Sequence, residues 1–174
     1  MEKAELEKFV DVAKELGAAD ARIIKAGNVV TGDWVRLKCQ YGCGGYGKRL
    51  TCPPYSPTPE TTSKVIANYE WALLSKLVPE PPDHDHAITH EQVASLERAI
   101  FLDGYHAALG LACGPCPICK KCNLKQCANP RLARPSMEAC GIDVYKTARN
   151  AGFEIRVVKK RSEQPTYFTL VLIC

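Results

Sequence analysis

The chain has 174 residues, of which 46% are hydrophobic and 24% are charged, with a formal net charge of +4. This length allows one domain with a core of its own and is too short for two comfortable ones. The composition is ordinary for a globular protein except for ten cysteines, which exceed what a core needs for packing. We therefore predict a single cysteine-rich metal- or iron–sulfur-binding domain over residues 1–174.

The N-terminal sequence MEKAELEKFVDVAKEL has no apolar segment or small-residue cleavage site typical of a signal peptide. No apolar run approaches the roughly 18 residues of a membrane span. We therefore expect a cytoplasmic protein without a membrane partner. Cytoplasmic thiols are kept reduced, so the cysteines favour metal binding or redox chemistry over a disulfide scaffold.

The first half of the chain predicts one helix, two extended elements and two loops. Apolar residues at helical spacing predict an amphipathic helix over residues 2–16. Residues 21–31 are rich in Ile and Val and predict a strand or short hairpin. The glycine- and proline-rich segment 39–59 predicts a shaped loop. A buried strand is expected over 69–78, followed by a loop over 79–86.

The second half begins with a predicted helix. Thr89 and Gln92 fit a capping box, and the helix they start is expected to reach about residue 109. His106 would lie within it. Residues 111–135 are rich in cysteine and proline and predict a second loop.

Ser136 is a candidate N-cap for a helix that runs to about residue 150 and ends at Gly152. Residues 153–158 and 167–173 then predict two strands joined by a polar turn. The fold class expected from these elements is α+β, with a small, mostly antiparallel sheet, about three helices and two cysteine-rich cluster-binding loops.

The second loop carries the stronger chemical signal. Its cysteines are spaced three residues apart and are followed by a fifth: Cys113, Cys116, Cys119, Cys122 and Cys127. A C-x2-C-x2-C run lets one short segment offer several thiolates to a cubane, as in bacterial ferredoxins. The last step here is C-x4-C, with Pro130 three residues beyond, so the ferredoxin match is approximate.

Zinc is the main alternative at this loop. Structural zinc sites generally use two C-x2-C pairs separated by a longer spacer that lets the pairs converge. Only two residues separate Cys116 from Cys119. The spacing therefore favours iron–sulfur over zinc, and zinc over plain thiols.

The first loop offers three thiols, Cys39, Cys43 and Cys52, with glycines between them. Such glycines allow close backbone approach to a cofactor, and their amides can donate hydrogen bonds to cluster sulfides. A cubane needs a fourth ligand or keeps an open iron. Cys140 is the best candidate for that ligand, and buried free thiols around a glycine-rich turn are the alternative.

Other features have weaker functional readings. Cations flank both loops and could stabilise an anionic cluster or simply solvate the loops: Lys48, Arg49, Lys120, Lys121 and Lys125. The histidine- and aspartate-rich run 83–90 could bind a divalent metal but fits a solvated loop better. Cys174 is expected to be an incidental thiol.

Three segments together resemble a known family: WVRLKCQYGCGGYGKRLTCPPYSPTPE, GPCPICKKC followed by Cys127, and ARPSMEACGIDV. They are similar to the domain of unknown function 2284 family, from about residue 34 to the C-terminus. The resemblance implies an anaerobe's metal-binding protein that uses these cysteines. It places Cys140 near a cluster, while Cys113 and Cys174 depart from the usual pattern, and Cys113 could replace one member of the second set.

The sequence therefore predicts two [4Fe–4S] clusters, with one on the loop 116–127 and one on Cys39, Cys43, Cys52 and Cys140. The expected role is electron transfer to a larger redox enzyme, or its maturation or reactivation, rather than catalysis. The alternative is a zinc-stabilised interaction or nucleic-acid-binding module that uses the basic C-terminal part. Nucleic acid is the less favoured partner, because the loops lack aromatic–basic interleaving. An enzyme with an open iron at the three-cysteine site ranks third.

Overall fold

A four-stranded antiparallel sheet forms the centre of the computed structural model, which describes residues 2–79, 87–160 and 162–174. The strand order is β1-β2-β4-β3. The strands are β1 (Asp20–Lys25), β2 (Trp71–Leu77), β3 (Leu109–Leu111) and β4 (Tyr167–Leu172). This confirms the α+β class and the mostly antiparallel sheet.

The two central strands are apolar on both faces because helices or loops cover both. In the register of β2 with β4, Leu73 pairs with Val171 and Leu74 with Leu170. Leu73 and Val171 pack into one buried cluster, whereas Leu74 and Leu170 pack into the other. The sheet is therefore the middle layer between two cores, which explains why β2 and β4 could be read from composition alone.

Six α-helices surround the sheet in the described part of the chain, against about three expected. They are α1 (Lys3–Leu6), α2 (Lys8–Glu15), α3 (Asp33–Gly42), α4 (Pro59–Ile66), α5 (Ala87–Leu102) and α6 (Val144–Asn150). The predicted helix over 2–16 is confirmed as α1 and α2, with a break at Glu7. None of the helices so described is long and apolar enough to cross a membrane.

The first predicted loop is wrong at its start. Residues 39–42 form the last turn of α3, so Cys39 is helical. The glycines that disfavour a helix begin only at Gly42, and irregular turns follow it up to Thr58. Thr58 caps α4 by accepting a hydrogen bond from the backbone N–H of Thr61. Upstream, β1 ends at Lys25 in a single turn of 3₁₀ helix, so the segment 21–31 is a strand without a hairpin.

The predicted capping box is also wrong. Helix α5 already begins at Ala87, which places Thr89 in its first turn. There the Thr89 hydroxyl donates to the carbonyl oxygen of Cys113, and the Gln92 amide bonds Ser75 and Thr169 in the core. The helix ends at Leu102 rather than near residue 109, because the chain turns at Gly104 with a φ of +104°.

That early end changes the segment that follows. His106 lies exposed in a turn rather than in a helix, and β3 occupies residues that were expected to be the end of the helix. The predicted loop over 79–86 and most of the histidine-rich run lie outside the described residues, while His90 is buried in α5.

The C-terminal helix prediction is right at its start and interrupted in its middle. The Ser136 hydroxyl accepts a hydrogen bond from the backbone N–H of Ala139, but only a 3₁₀ turn follows, over Glu138–Cys140. Gly141, with a φ of +78°, ends that turn, and Asp143 caps α6 anew. The strand over 167–173 is confirmed as β4. The strand over 153–158 is wrong, because that segment has no strand pairing.

Candidate metal centre

Three thiols of the first cysteine loop surround one end of a large cavity. Cys39 lies in the last turn of α3, Cys43 directly follows the helix, and Cys52 lies in the turns beyond it. All three line the cavity, whose volume is about 570 Å³. We call Cys39, Cys43 and Cys52 the first thiol set.

Arg36, one turn before Cys39, fixes α3 against this loop. Its guanidinium donates to the Ser56 hydroxyl at 3.1 Å and to the carbonyl oxygen of Pro57 at 2.8 Å. A third hydrogen bond of 2.9 Å reaches the carbonyl oxygen of Ala139 in the 3₁₀ turn. The Ser56 hydroxyl donates to the same oxygen at 2.6 Å. One buried network therefore holds helix, loop and turn together around the first thiol set.

Gly45 lies beside two sulfurs of the first thiol set. A Cβ atom at this position would lie 3.6 Å from the sulfurs of both Cys43 and Cys52 and 3.4 Å from Cβ of Pro115. The backbone N–H of Gly45 also donates to Cys43 Sγ at 3.4 Å. The two sulfurs thus flank a space that a side chain would fill, and the first loop packs directly on the second.

Two groups outside the first loop line the same cavity, Cys113 and Glu138. Hydrogen bonds between Ala112 and residues 135 and 137 bring the 3₁₀ turn beside the end of β3. The Cys113 thiol donates to Glu138 Oε1 at 3.9 Å, and the Cys39 thiol donates to the carbonyl oxygen of Glu138 at 3.8 Å. Glu138 Oε2 is buried and has no hydrogen-bond partner among the described residues. Burial raises the pKa values of the Glu138 carboxyl and the Cys113 thiol.

The second thiol set consists of Cys116, Cys119, Cys122 and Cys127, all of them half-buried. All four line one small cavity of about 20 Å³. Irregular backbone over residues 113–135 allows all four to face one cavity, because no helix or strand fixes the direction of successive side chains there. Their assignment as ligands of one metal site stays a prediction.

Hydrogen-bond donors point at this second thiol set from two segments. The backbone N–H of Leu50, in the first loop, donates to Cys122 Sγ at 3.5 Å. The Asn129 side-chain amide donates to Cys119 Sγ at 3.1 Å. The Arg49 guanidinium donates to the carbonyl oxygen of Cys119 at 3.1 Å. N–H groups directed at sulfur favour the thiolate form and tune the potential of a sulfur-ligated metal.

The two thiol sets are electrostatic neighbours. Burial raises the pKa of Cys52 in the first set and of Cys116 in the second. The positive charge of Arg49 opposes both shifts, so this side chain lies within reach of both sets. The negative charge of Cys116 in turn raises the pKa of Cys52. A change of charge in one set therefore shifts the pKa values of thiols in the other.

Cys140 and Cys174 line neither cavity. Cys140 is buried in the core cluster that contains Leu74 and Leu170. Burial there raises the pKa of its thiol to about 12 despite the nearby charge of Arg36. The charge of Cys39 contributes to the same shift, so the two thiols are near one another. The assignment of Cys140 as a cluster ligand stays a prediction. Cys174 packs against the other core cluster, which contains Leu73 and Val171 and includes residues of α2 and α5.

The donor chemistry fits a thiophilic metal. Soft thiolate ligands suit zinc, Cu(I) and iron–sulfur clusters, whereas Mg²⁺ and Ca²⁺ require oxygen ligands. In the described ranges, no three His, Cys, Asp or Glu side chains come close enough to hold a single metal ion. The thiols instead line the two cavities: the first thiol set and Cys113 line the larger one, and the second thiol set lines the smaller one.

Sequence reasoning missed three residues that shape the site. Arg36 had no motif around it, and the four hydrogen bonds that its guanidinium makes all reach residues at least 20 positions away. Glu138 stands two positions before Cys140 and carried no signal separable from an ordinary acidic residue in a helix. Asn129, within the second loop, resembled any polar loop residue.

An α+β fold whose thiols line two adjoining cavities defines a cysteine-rich protein equipped to bind metal. The chain belongs to the family described as "Predicted metal-binding protein (DUF2284)", which matches residues 22–173. The resemblance seen in the three sequence segments is thereby confirmed over a longer range. A search of curated proteins and a search of solved structures each found no match.

Proposed function

We propose that this chain is an iron–sulfur protein with two [4Fe–4S] clusters that passes electrons to or from a larger redox enzyme, or helps to mature or reactivate one. The observation that carries the proposal is the second thiol set. Four thiols share one cavity there, and N–H groups of Leu50 and Asn129 are directed at two of them. Thiolate ligands with N–H···S hydrogen bonds are the usual surroundings of such clusters.

The ligands of the second cluster would be Cys116, Cys119, Cys122 and Cys127. Those of the first cluster would be Cys39, Cys43 and Cys52, with Cys140 completing the set as the sequence predicts, or Cys113 from the cavity wall. A bound cluster supplies one-electron transfer at a potential set by hydrogen bonds, charge and burial. The chain's own contribution is the Gly45 approach, the donors to sulfur and the charge of Arg49.

The adjacency of the two thiol sets supports a relay. Hydrogen bonds from Leu50 to Cys122 and from Arg49 to Cys119 join the loops of the two sets, and the electrostatic coupling of Cys52 with Cys116 supports two sites that lie side by side. An electron that enters at one site would then have a short path to the other. A reducing cytoplasm would suit a chain so rich in cysteine.

The test is metal and sulfide analysis of anaerobically purified protein, with an EPR spectrum after dithionite reduction. We expect about eight irons and eight sulfides per chain with a signal from reduced clusters. The Cys122→Ser and Cys52→Ser variants should each retain about half of that content. Cys174→Ser is the matched control and should retain all of it, because Cys174 lines neither cavity.

Zinc is the outcome that would overturn the proposal. Stoichiometric zinc without sulfide, in a colourless protein silent to dithionite, would favour the zinc-stabilised interaction module. The uneven charge would then direct attention to acidic partners, because residues 113–174 contain 11 basic and 4 acidic side chains.

A further inference from the structure

We propose that the 570 Å³ cavity beside the first thiol set binds a small organic molecule that has an apolar body and a carboxylate group. The volume lies within the range of about 300–1,000 Å³ typical of small-molecule sites. The cavity extends well beyond the thiols, to the 153–158 segment and the start of β4. It offers far more space than metal ligation alone requires.

The walls away from the thiols are mostly apolar. The cavity is lined by Trp34 of α3, by Phe168 of β4, and by Ile155 and Val157 of the 153–158 segment. Trp34 is 48% exposed and Val157 is 64% exposed, so the cavity leaves large apolar side chains uncovered. Such surface gains free energy when a ligand removes it from water. This favours an apolar, preferably aromatic, ligand body.

Two cations in the walls select a carboxylate. Lys38 and Arg156 line the cavity, and neither forms an ion pair with any residue that the structure describes. Lys38 Nζ lies 5.1 Å from the centroid of the Trp34 ring, so charge and aromatic surface are adjacent. A ligand with both features would satisfy both groups.

Each acidic group in the walls has one oxygen that accepts a hydrogen bond. Asp143 Oδ1 accepts a hydrogen bond from the backbone N–H of Lys146 at 2.9 Å and so caps α6. Glu138 Oε1 accepts from the Cys113 thiol, while the buried Oε2 has no partner in the described ranges. Such a buried polar atom in the wall of a site is a position for a hydrogen bond to a ligand.

The position of the cavity implies contact between ligand and metal site. Cys39, Cys43 and Cys52 line the same space, and Lys38 is the sequence neighbour of Cys39. A molecule bound there would lie beside the first cluster and would alter its surroundings. This part of the inference rests on the proposed function, whereas the binding itself does not.

The experiment is isothermal titration calorimetry on the full-length, anaerobically purified protein, with 2-naphthoate as the probe and uncharged 2-naphthamide as its matched control. We expect one molecule of 2-naphthoate per chain and about tenfold weaker binding of the amide. Lys38→Gln and Arg156→Gln should each weaken 2-naphthoate binding by up to about tenfold. Lys159→Gln, outside the cavity, should not.

Any of three results would overturn the inference. They are no binding of 2-naphthoate, equal affinity for 2-naphthoate and 2-naphthamide, and an affinity that neither cavity variant changes. On the same samples, 2-naphthoate should change the EPR spectrum of the reduced protein. An unchanged spectrum in an iron-loaded protein that binds the probe would overturn the placement beside the first cluster. Probe binding to a protein that contains zinc and no sulfide would overturn the proposed function and leave the cavity site standing.

Discussion

The guanidinium of Arg36 and the carbonyl oxygen of Ala139 are joined by a hydrogen bond of 2.9 Å across 103 residues of chain. The same guanidinium bonds Ser56 and Pro57, so one side chain fixes the relative position of three segments that carry or support thiols. The cysteines of the first set are therefore positioned by tertiary structure as well as by their spacing in the chain.

Substitution of Arg36 should loosen the first thiol set. Arg36→Lys removes the planar fork that makes four hydrogen bonds at once, although the Ala139 oxygen keeps the Ser56 hydroxyl as a donor, so we expect a loss of about 1–3 kcal/mol in the free energy of unfolding. Urea denaturation of the metal-free, reduced protein measures it. Arg131→Lys, at an exposed loop position, is the control and should leave the midpoint in place. Equal midpoints for both variants would contradict the role of Arg36.

Gly141 should not tolerate a side chain. Its φ is +78°, and a Cβ atom would lie 2.4 Å from Cγ of Pro59 at the start of α4. Strain and overpacking together predict that Gly141→Ala lowers the free energy of unfolding by about 3 kcal/mol or more. Gly27→Ala, where a Cβ atom meets nothing within 4 Å, should be neutral or slightly stabilising. Thermal unfolding of both variants tests the difference, and similar melting temperatures would argue against the close approach.

The ion pair between Arg134 and Glu97 should stabilise the end of the second loop. Two hydrogen bonds of 2.7 Å join the groups, and both side chains are only 17% exposed. Arg134→Lys loses the two-pronged geometry and should lower the free energy of unfolding by about 1–3 kcal/mol. The exposed pair Lys64–Glu60 provides the contrast, because Lys64→Gln should cause no measurable change. Hydrogen exchange would show the loss locally, and undisturbed protection near residue 134 would refute it.

The metal-free protein should lose stability at alkaline pH. Burial raises the pKa of Cys39 to about 11 and that of Cys140 to about 12, above the ordinary value of 9.0. Below pH 9 these thiols are protonated in both the folded and the unfolded states. Between pH 9 and 12 the unfolded chain releases protons that the folded protein still holds, so the free energy of unfolding falls as pH rises.

Urea denaturation at a series of pH values measures this slope. Cys140→Ala should reduce the decline between pH 9 and 12, because it removes one of the shifted thiols. Cys43→Ala, at an exposed position, serves as the control for thiol removal. A decline in Cys140→Ala as steep as in the parent would show that this thiol does not contribute.

If the two thiol sets hold the proposed clusters, Arg49 should help to set the reduction potentials of both. Its charge acts on Cys52 and Cys116 together, and removal of a nearby positive charge makes reduction of a cluster less favourable. Arg49→Gln is therefore expected to lower the reduction potential at both sites in a potentiometric EPR titration. Lys14→Gln on α2 is the control. A shift confined to one site would show that Arg49 is not shared.

Composition predicted the sheet better than the helices. Strands β2 and β4 are buried on both faces, so their apolar runs identified them without knowledge of their neighbours. Helix α4 begins with Thr58 as N-cap and Pro59 in its first turn, a start signal that the glycine- and proline-rich surroundings obscured. Strand β3 has three residues and exists only because it pairs with β4, so no local pattern could reveal it.

Cysteine spacing anticipated which thiols share a cavity only in part. The four thiols of the second set line one cavity as grouped, whereas Cys113 rather than Cys140 lines the cavity of the first set. The cavity beside the first set could not be anticipated, since it forms among α3, the 3₁₀ turn and residues 155–158, which are distant in the chain. The 153–158 segment resembled a strand because apolar residues alternate along it, yet Phe153 packs into a buried cluster and residues 155–158 line the cavity.

The hydrogen bond from Leu50 to Cys122 joins residues 72 positions apart. A synthetic peptide spanning 113–130 would carry every thiol of the second set, yet it would lack this donor and the Arg49 contact to Cys119. Grafted onto another scaffold, the loop would therefore bring its ligands without the groups that tune them. The surroundings of the second thiol set depend on the whole folded chain, so transfer of the cysteine motif alone would not transfer its chemistry.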